Sequence, residues 1–184
     1  MKIYAIIAHD KQDSLNHYIF NQITKYLESK NITVDKLDLY DYEKEIPFYY
    51  HNRDKLEKNI FYKENKKRFM QADSLLFVYP VYWNSVPGIL KCYLDLITNF
   101  AWKFVTGPNA KALHKIKKAF VISTASSQFP ENDPMHNNSV LENMFKFINI
   151  PEYKFYGIGK VDSITKEEVE KHLEKIFDLL DKLF

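Results

Sequence analysis

The sequence predicts a doubly wound α/β domain, a parallel sheet of five strands with helices on both faces. Three observations predict it. Five short runs rich in apolar, β-branched and aromatic residues alternate with longer stretches of helical periodicity. The third run, Leu75-Leu76-Phe77-Val78, is continuously apolar, the pattern of a strand buried on both faces. No Pro/Gly/Ser-rich linker and no internal repeat divides the 184 residues, so 1–184 is expected to be a single domain.

Residues 2–8 are the first strand, ending in the polar run His9-Asp10-Lys11-Gln12-Asp13-Ser14. Leu15, Tyr18, Ile19, Ile23, Tyr26 and Leu27 then recur at three- and four-residue spacing and give one apolar helix face. Asn31 marks a stop, and Ile32, Val34, Leu37 and Leu39 lie in a second strand. Two strands joined by one helix predict a right-handed parallel unit. Residues 40–52 hold Pro47 and Phe48-Tyr49-Tyr50-His51 without clear periodicity. They read as a long loop, either a wall of a site or subunit contact, or a segment pinned to the core by its own aromatics. Residues 56–72 predict one helix with Ile60, Phe61, Phe69 and Met70 facing inward.

The third strand starts at Ser74 and should end at Tyr79, because Pro80 cannot donate to a ladder. Pro87 suits the first turn of the next helix, so Tyr82, Trp83 and Asn84 fall in the loop between. That helix continues through Ile89, Leu90, Tyr93, Leu94 and Ile97 toward Trp102, and Thr106-Gly107-Pro108-Asn109 breaks it. The fourth strand, 118–123, gives way to Thr124-Ala125-Ser126-Ser127. A helix near 138–148, a strand near 153–159 and a last helix follow. Thr165 and Glu168 have the spacing of a capping box, and Val169, Leu173, Ile176, Phe177 and Leu180 form the last apolar face.

Composition narrows the function classes. A formal charge of +2 is too small and too dispersed for a nucleic-acid face, and Lys66-Lys67-Arg68 reads as the solvated side of a helix. The longest apolar run, 75–83, is far short of the roughly 20 residues that a spanning helix needs. The apolar run at 3–8 is too short for a signal peptide and has no cleavage site, so a cytoplasmic protein without membrane insertion is expected. The single cysteine, Cys92, excludes an internal disulfide and a multi-cysteine metal site, and it reads as a small packing residue of its helix.

In an open α/β sheet, ligands bind outside the carboxyl ends of the strands, where both the His9 loop and the Tyr82 loop are expected. The first loop opens a helix, so free backbone N–H groups and the positive dipole end favour an anion such as phosphate. Ser14 and Asn16 can add donors; the plainer reading makes Ser14 a helix cap and His9 a solvated loop residue. The loop has no glycine and is neither a Walker loop nor a dinucleotide fingerprint. Tyr82, Trp83 and Asn84 offer aromatic faces and exposed N–H groups; otherwise they are packing beneath a neighbouring loop.

Pro80, Trp83, Pro87, Leu90 and Lys91 fit the pattern Pro-x-x-Trp-x-x-x-Pro-x-x-Leu-Lys. In this the chain resembles the NAD(P)H quinone oxidoreductases of the DT-diaphorase type, as a small bacterial-type member. These are flavoproteins of flavodoxin-like fold, and the resemblance implies strand order 2-1-3-4-5 with the ligand at the switch point between the first and third strands. His9, Ser14 and Asn16, with Leu15 between the last two, match the family's His-x-x-x-x-Ser-x-Asn loop, which holds the phosphate or pyrophosphate of FMN or FAD. Pro80, Val81, Tyr82, Trp83 and Asn84 stand where the family lays the isoalloxazine. The family's Thr-Thr-Gly-Gly loop after the fourth strand corresponds to Ser123-Thr124-Ala125-Ser126, where Ala125 and Ser126 lack glycine's access to positive φ. Beyond that loop, where the family places a Tyr and a His, this chain offers His136 as a catalytic candidate and Phe129 in place of the Tyr.

The resemblance implies a ping-pong reaction in which NAD(P)H reduces the flavin and a quinone or similar small-molecule acceptor then takes two electrons. It also implies a homodimer with the site at the interface. Two other roles fit the same resemblance. A flavodoxin-type electron carrier would bind FMN without using nicotinamide, although the chain lacks that class's Thr/Ser-rich phosphate loop and strongly acidic surface. An ancillary regulatory flavoprotein of a potassium efflux system is the other.

Overall fold

The computed structural model describes residues 1–48, 53–102, 114–128 and 139–184. In chain order the elements are β1 (Lys2–Ile7), α1 (Leu15–Ser29), β2 (Thr33–Asp38), a 3-10 turn (Tyr40–Tyr42), α2 (Arg53–Lys58) and α3 (Ile60–Gln71). Then come β3 (Ser74–Pro80), α4 (Gly88–Trp102), β4 (Lys118–Thr124), α5 (Ser139–Phe147), β5 (Glu152–Ile158) and α6 (Lys166–Leu183). The strands form one all-parallel sheet in the order β2-β1-β3-β4-β5. Both the fold class and the strand order match the expectation.

Alternate residues of the central strands point to opposite faces, and each face has its own core. Ile3, Ala5 and Ile7 of β1, Leu76 and Val78 of β3, and Phe120 and Ile122 of β4 meet Ile19 and Ile23 of α1 and Leu173 and Ile176 of α6. On the other side Tyr4, Ile6, Leu75, Phe77, Tyr79 and Val121 meet Phe69 of α3, Tyr93 of α4 and Phe145 of α5. This is why the third strand reads as a continuous apolar run: all of its residues are buried. The predicted capping box of α6 is present, with the Glu168 N–H donating to Thr165 Oγ1 and the Thr165 N–H donating to the Glu168 carboxylate.

Five local expectations are corrected. The third strand runs through Pro80 rather than ending at Tyr79, because Pro80 stays in register with Thr124 and the Val81 N–H carries the pairing past it to the Thr124 carbonyl. The helix expected over 56–72 is two helices, because Asn59 leaves helical geometry and its Oδ1 accepts the Tyr62 N–H at 2.7 Å. A short polar side chain competes for backbone donors and so favours a cap over a helix interior. Ile60, expected inward, becomes the first residue of α3 and is 68% exposed, whereas Phe61 and Phe69 are buried and Met70 is partly buried. Tyr18 is exposed as well, and its hydroxyl donates to Glu170 of α6 rather than packing in the core. The segment after β2, read as loop, begins with the 3-10 turn. Tyr49, Tyr50, His51 and the Thr106-Gly107-Pro108-Asn109 break lie outside the described residues.

Among the described residues no helix is long and apolar enough to cross a membrane, and no group of three or more His, Cys, Asp or Glu could hold a metal ion. The carboxyl edge of the sheet is drawn tight by bonds that run past the strand ends. The Ala8 N–H donates to the Val78 carbonyl at 3.1 Å, that of Val81 to Thr124 at 2.7 Å and that of Ala125 to Ile158 at 2.9 Å. The loops that follow β1, β3 and β4 therefore start from a common, fixed edge.

Candidate functional site

A cleft of about 270 Å³ opens at that edge. His9, Leu15 and Asn16 line it from the β1–α1 loop and the start of α1; Pro80, Val81 and Tyr82 from the end of β3; and Thr124, Ala125 and Ser126 from the end of β4. Val161 and Asp162, from the turn after β5, complete the wall. These two were missed in the sequence. The available signal was topological, since β5 is parallel to β4 and delivers its following turn to the same edge.

Helix α1 begins with Ser14, whose extended backbone (φ −73°, ψ 159°) and side chain cap the first turn. The first intrahelical bond runs from the Tyr18 N–H to the Ser14 carbonyl, so the N–H groups of Leu15 and Asn16 precede it. The first turn carries no acidic residue, which leaves the helix dipole uncompensated there. Ser14 serves as the cap and is not part of the cleft wall, as the plainer sequence reading had it. Its Oγ accepts the His17 N–H at 3.2 Å and lies 3.0 Å from His17 Nδ1. The other ring nitrogen, Nε2, is 2.8 Å from Asp38 Oδ2, at the end of β2. Gln12 donates to the same oxygen at 2.9 Å, and the Tyr40 N–H donates to Oδ1 at 3.0 Å. Asp38 therefore ties the first loop and the first turn of α1 to the sheet.

His9 is less free than a solvated loop residue. Its Nδ1 accepts the Lys11 N–H at 3.0 Å, so in the neutral ring the proton sits on Nε2. Burial draws its pKa below the ordinary histidine value despite the nearby Asp10 carboxylate, which favours that neutral form. Asn16 is buried, and its amide donates to Thr124 Oγ1 at 2.9 Å. That bond joins the start of α1 to the end of β4 at the floor of the cleft.

The wall after β3 is a tight reversal. Tyr82 and Ser85 exchange N–H···O=C bonds of 3.0 Å, and the residues between them, Trp83 and Asn84, have φ of 51° and 55°. Two positive φ values at the centre of a two-residue reversal are the mark of a type I′ turn, in which Asn is at home and Trp is not. Tyr82 lines the cleft, and burial, then Asp10, hold its hydroxyl above the ordinary tyrosine range. Trp83 is 101% exposed, and both it and Asn84 stand outside the cleft wall.

The backbone after β4 does not call on glycine's access to positive φ. Among the described non-glycine residues, positive φ occurs at Asn31, Trp83, Asn84, Asn149 and Lys160, not at Ala125 or Ser126. Lys160 (φ 55°) takes a positive φ in the facing turn after β5. Its N–H donates to the Ser127 carbonyl at 3.1 Å and that of Val161 to Ala125 at 3.2 Å, locking the two turns together. His136 lies outside the described residues.

Residues 1–180 match the family model described as flavodoxin-like fold. The chain is 24% identical to general stress protein 14 of Bacillus subtilis over 100% of this chain and 99% of that protein. It is 27% identical to the uncharacterized NAD(P)H oxidoreductase YcaK of Escherichia coli K12, over 99% and 98% respectively. An FMN-dependent NADH:quinone oxidoreductase of Coprothermobacter proteolyticus is 31% identical over 58% of this chain and 54% of that protein. Among solved structures, an FMN-dependent NADH-azoreductase of Bacillus anthracis in complex with FMN superposes with a TM-score of 0.78 at 18% identity, covering 99% of both chains. By fold and by sequence, the chain belongs to the flavodoxin-like family.

Proposed function

We propose that the chain is a flavin-dependent NAD(P)H:quinone oxidoreductase that holds FMN in the cleft at the carboxyl edge of the sheet. One observation carries this reading. A helix start without acidic residues, a buried amide–hydroxyl pair and a wall of Pro80, Val81 and Tyr82 converge at the switch point between β1 and β3. The names of several relatives supply the choice of cofactor, NADH-linked reaction and quinone acceptor.

The residues fit the group. The N–H groups of Leu15 and Asn16 and the dipole of α1 suit the phosphate, with His9 adding a neutral N–H donor. Pro80, Val81 and Leu15 form the apolar side on which a flat ring system rests. Thr124 and Ser126 line the cleft with hydroxyls that could meet the polar edge of a ring, and Asn16 holds Thr124 in place. The turn at Trp83 and Asn84, next in the chain to the lining residue Tyr82, leaves an indole fully exposed that could cover a face of the ring. FMN held there would supply the redox chemistry, a two-electron relay between NAD(P)H and the acceptor in ping-pong order. The protein's part is to bind, orient and exclude water, with His136 carried from the resemblance as the candidate for stabilising charge during hydride transfer.

The same reading makes 1–184 a single cytoplasmic flavin-binding domain working as a homodimer. A fully exposed Trp83 beside the half-exposed Tyr82 supports a second subunit closing over the mouth of the site. The test is the visible spectrum of protein given excess FMN or FAD and desalted, then treated anaerobically with NADH or NADPH. A retained FMN band that nicotinamide bleaches and a quinone restores is the expected result. A retained band that nicotinamide leaves unbleached would replace the reductase with an electron carrier, and no retained band would overturn the flavin reading.

A further inference from the structure

The cleft differs in polarity from one end to the other. At the start of α1 it offers backbone N–H groups, the positive end of a helix dipole and a neutral His9. Further along the sheet edge, past β3 and β4, the turn after β5 brings in Asp162, the only Asp, Glu, Lys or Arg among the described lining residues. Asp162 is exposed and makes no ion pair or hydrogen bond with the described residues. Both of its carboxylate oxygens are therefore open to a ligand.

The turn that carries Asp162 is held without help from its side chain. The Lys160 N–H donates to the Ser127 carbonyl and that of Val161 to Ala125, while the Ser163 N–H closes the turn on the Lys160 carbonyl at 3.1 Å. Val161 and Ile164 pack against the core on either side of Asp162. What stands in the cleft wall is thus a fixed acceptor that has no proton to give. Such a group repels phosphate and attracts hydroxyls, and its two oxygens suit a pair of neighbouring hydroxyls, as an acidic residue takes the ribose of a dinucleotide. With the phosphate at α1 and the ring on Pro80 and Val81, the chain of hydroxyls that joins them in a flavin nucleotide runs past the end of β4, to which the Asp162 turn is locked.

We propose that Asp162 recognises a vicinal diol, that of the flavin's ribityl chain, and so makes the cleft selective for a polyol phosphate laid in one direction. The proposal rests on the flavin reading above. Attraction of the hydroxyls and repulsion of the phosphate act together, because only the orientation with phosphate at α1 satisfies both ends of the cleft.

The experiment is fluorescence titration of the full chain with FMN and with an analogue in which a plain pentyl chain joins the same ring to the same phosphate. Wild type should bind FMN at least about 10-fold more tightly than the analogue, the worth of hydrogen bonds to a charged group. Asp162→Ala should lose that preference and bind both ligands with the affinity wild type shows for the analogue. Asp162→Asn keeps one acceptor oxygen and should retain part of it. The Tm of either variant without flavin should match wild type, since backbone bonds hold the turn. NADH carries the same diol chemistry in its riboses, so its KM is measured in the FMN-saturated proteins and should not change.

Equal affinity of wild type for FMN and the analogue, or a full preference for FMN surviving in Asp162→Ala, would overturn the proposal and leave FMN binding intact. The second result with a raised KM for NADH would move the diol from the flavin to the nicotinamide nucleotide. A lowered Tm with equal losses for both ligands would make Asp162 a structural residue of its turn and overturn the proposal as well. Failure of wild type to bind either flavin would overturn the flavin reading and this recognition with it.

Discussion

The two loops that frame the cleft are built by opposite means. The β1–α1 loop is held from within: Ser14, His17, Gln12 and Asp38 form a connected set, Lys11 fixes His9, and Asn16 is buried onto Thr124. The loop after β3 is held at its base by the paired Tyr82 and Ser85, and it lifts a fully exposed indole on two positive φ angles. Part of the difference follows from what each end must recognise. A phosphate is small and charged and needs fixed donors, so the framework is prepaid in folding. A ring face needs flat apolar area, which an exposed aromatic can supply once ligand or partner covers it. The first loop should therefore couple binding to stability, and the second should separate them.

Asn16 is where breaking that contrast costs most. Asn16→Ala strands the buried Thr124 hydroxyl and unties α1 from β4. An orphaned buried group costs about 1–3 kcal/mol. For a chain of this size that is a drop in Tm of roughly 2–12 °C. FMN affinity should fall in the same variant, because the residue also positions the helix start. A melting temperature within a degree of wild type, or a loss of stability with FMN affinity unchanged, would refute the idea that this loop joins the two.

Trp83→Ala is the opposite case. The side chain is wholly exposed, so Tm in the absence of flavin should not move measurably. FMN retention should weaken by about 2- to 13-fold, the worth of one aromatic face at about 0.5–1.5 kcal/mol. Fluorescence titration of FMN together with a thermal melt of the apo form reads both quantities. A destabilised apo form would mean that the indole packs on its own chain, and unchanged affinity would remove it from the site.

How much of this was visible in the sequence follows the same divide. The alternation of strands and helices and both faces of the core follow from period and proline positions, while the strand order and nine of the cleft residues came with the resemblance carried by two short motifs. Such features are local, and the sheet edge assembles them. What could not be read depends on conformation and on long-range pairing. Asn59 inside a helical pattern looks like any polar surface residue until its side-chain oxygen Oδ1 accepts the Tyr62 N–H. Lys160 gives no sign in the sequence that it takes a positive φ in the turn after β5. His17 lies in the apolar-looking stretch of α1, and only the arrival of Asp38 from β2 makes it part of a polar chain.

The smallest expected effect isolates backbone from side chain at the tip of the second loop. Trp83 pays for a left-handed conformation that costs an L-residue about 1–2 kcal/mol, whereas glycine avoids that term and gives back about 0.5–1 kcal/mol in chain entropy. Trp83→Gly and Trp83→Ala remove the same indole, but only glycine relieves the bend. Trp83→Gly should therefore be more stable than Trp83→Ala, by about 0.5–1 kcal/mol in denaturant unfolding, with the same weakened hold on FMN. Equal stabilities would mean that the turn relaxes to negative φ once the ring is gone. The unusual backbone would then be imposed by the indole rather than by the Tyr82–Ser85 pairing, and the second loop would lose its claim to a fixed base.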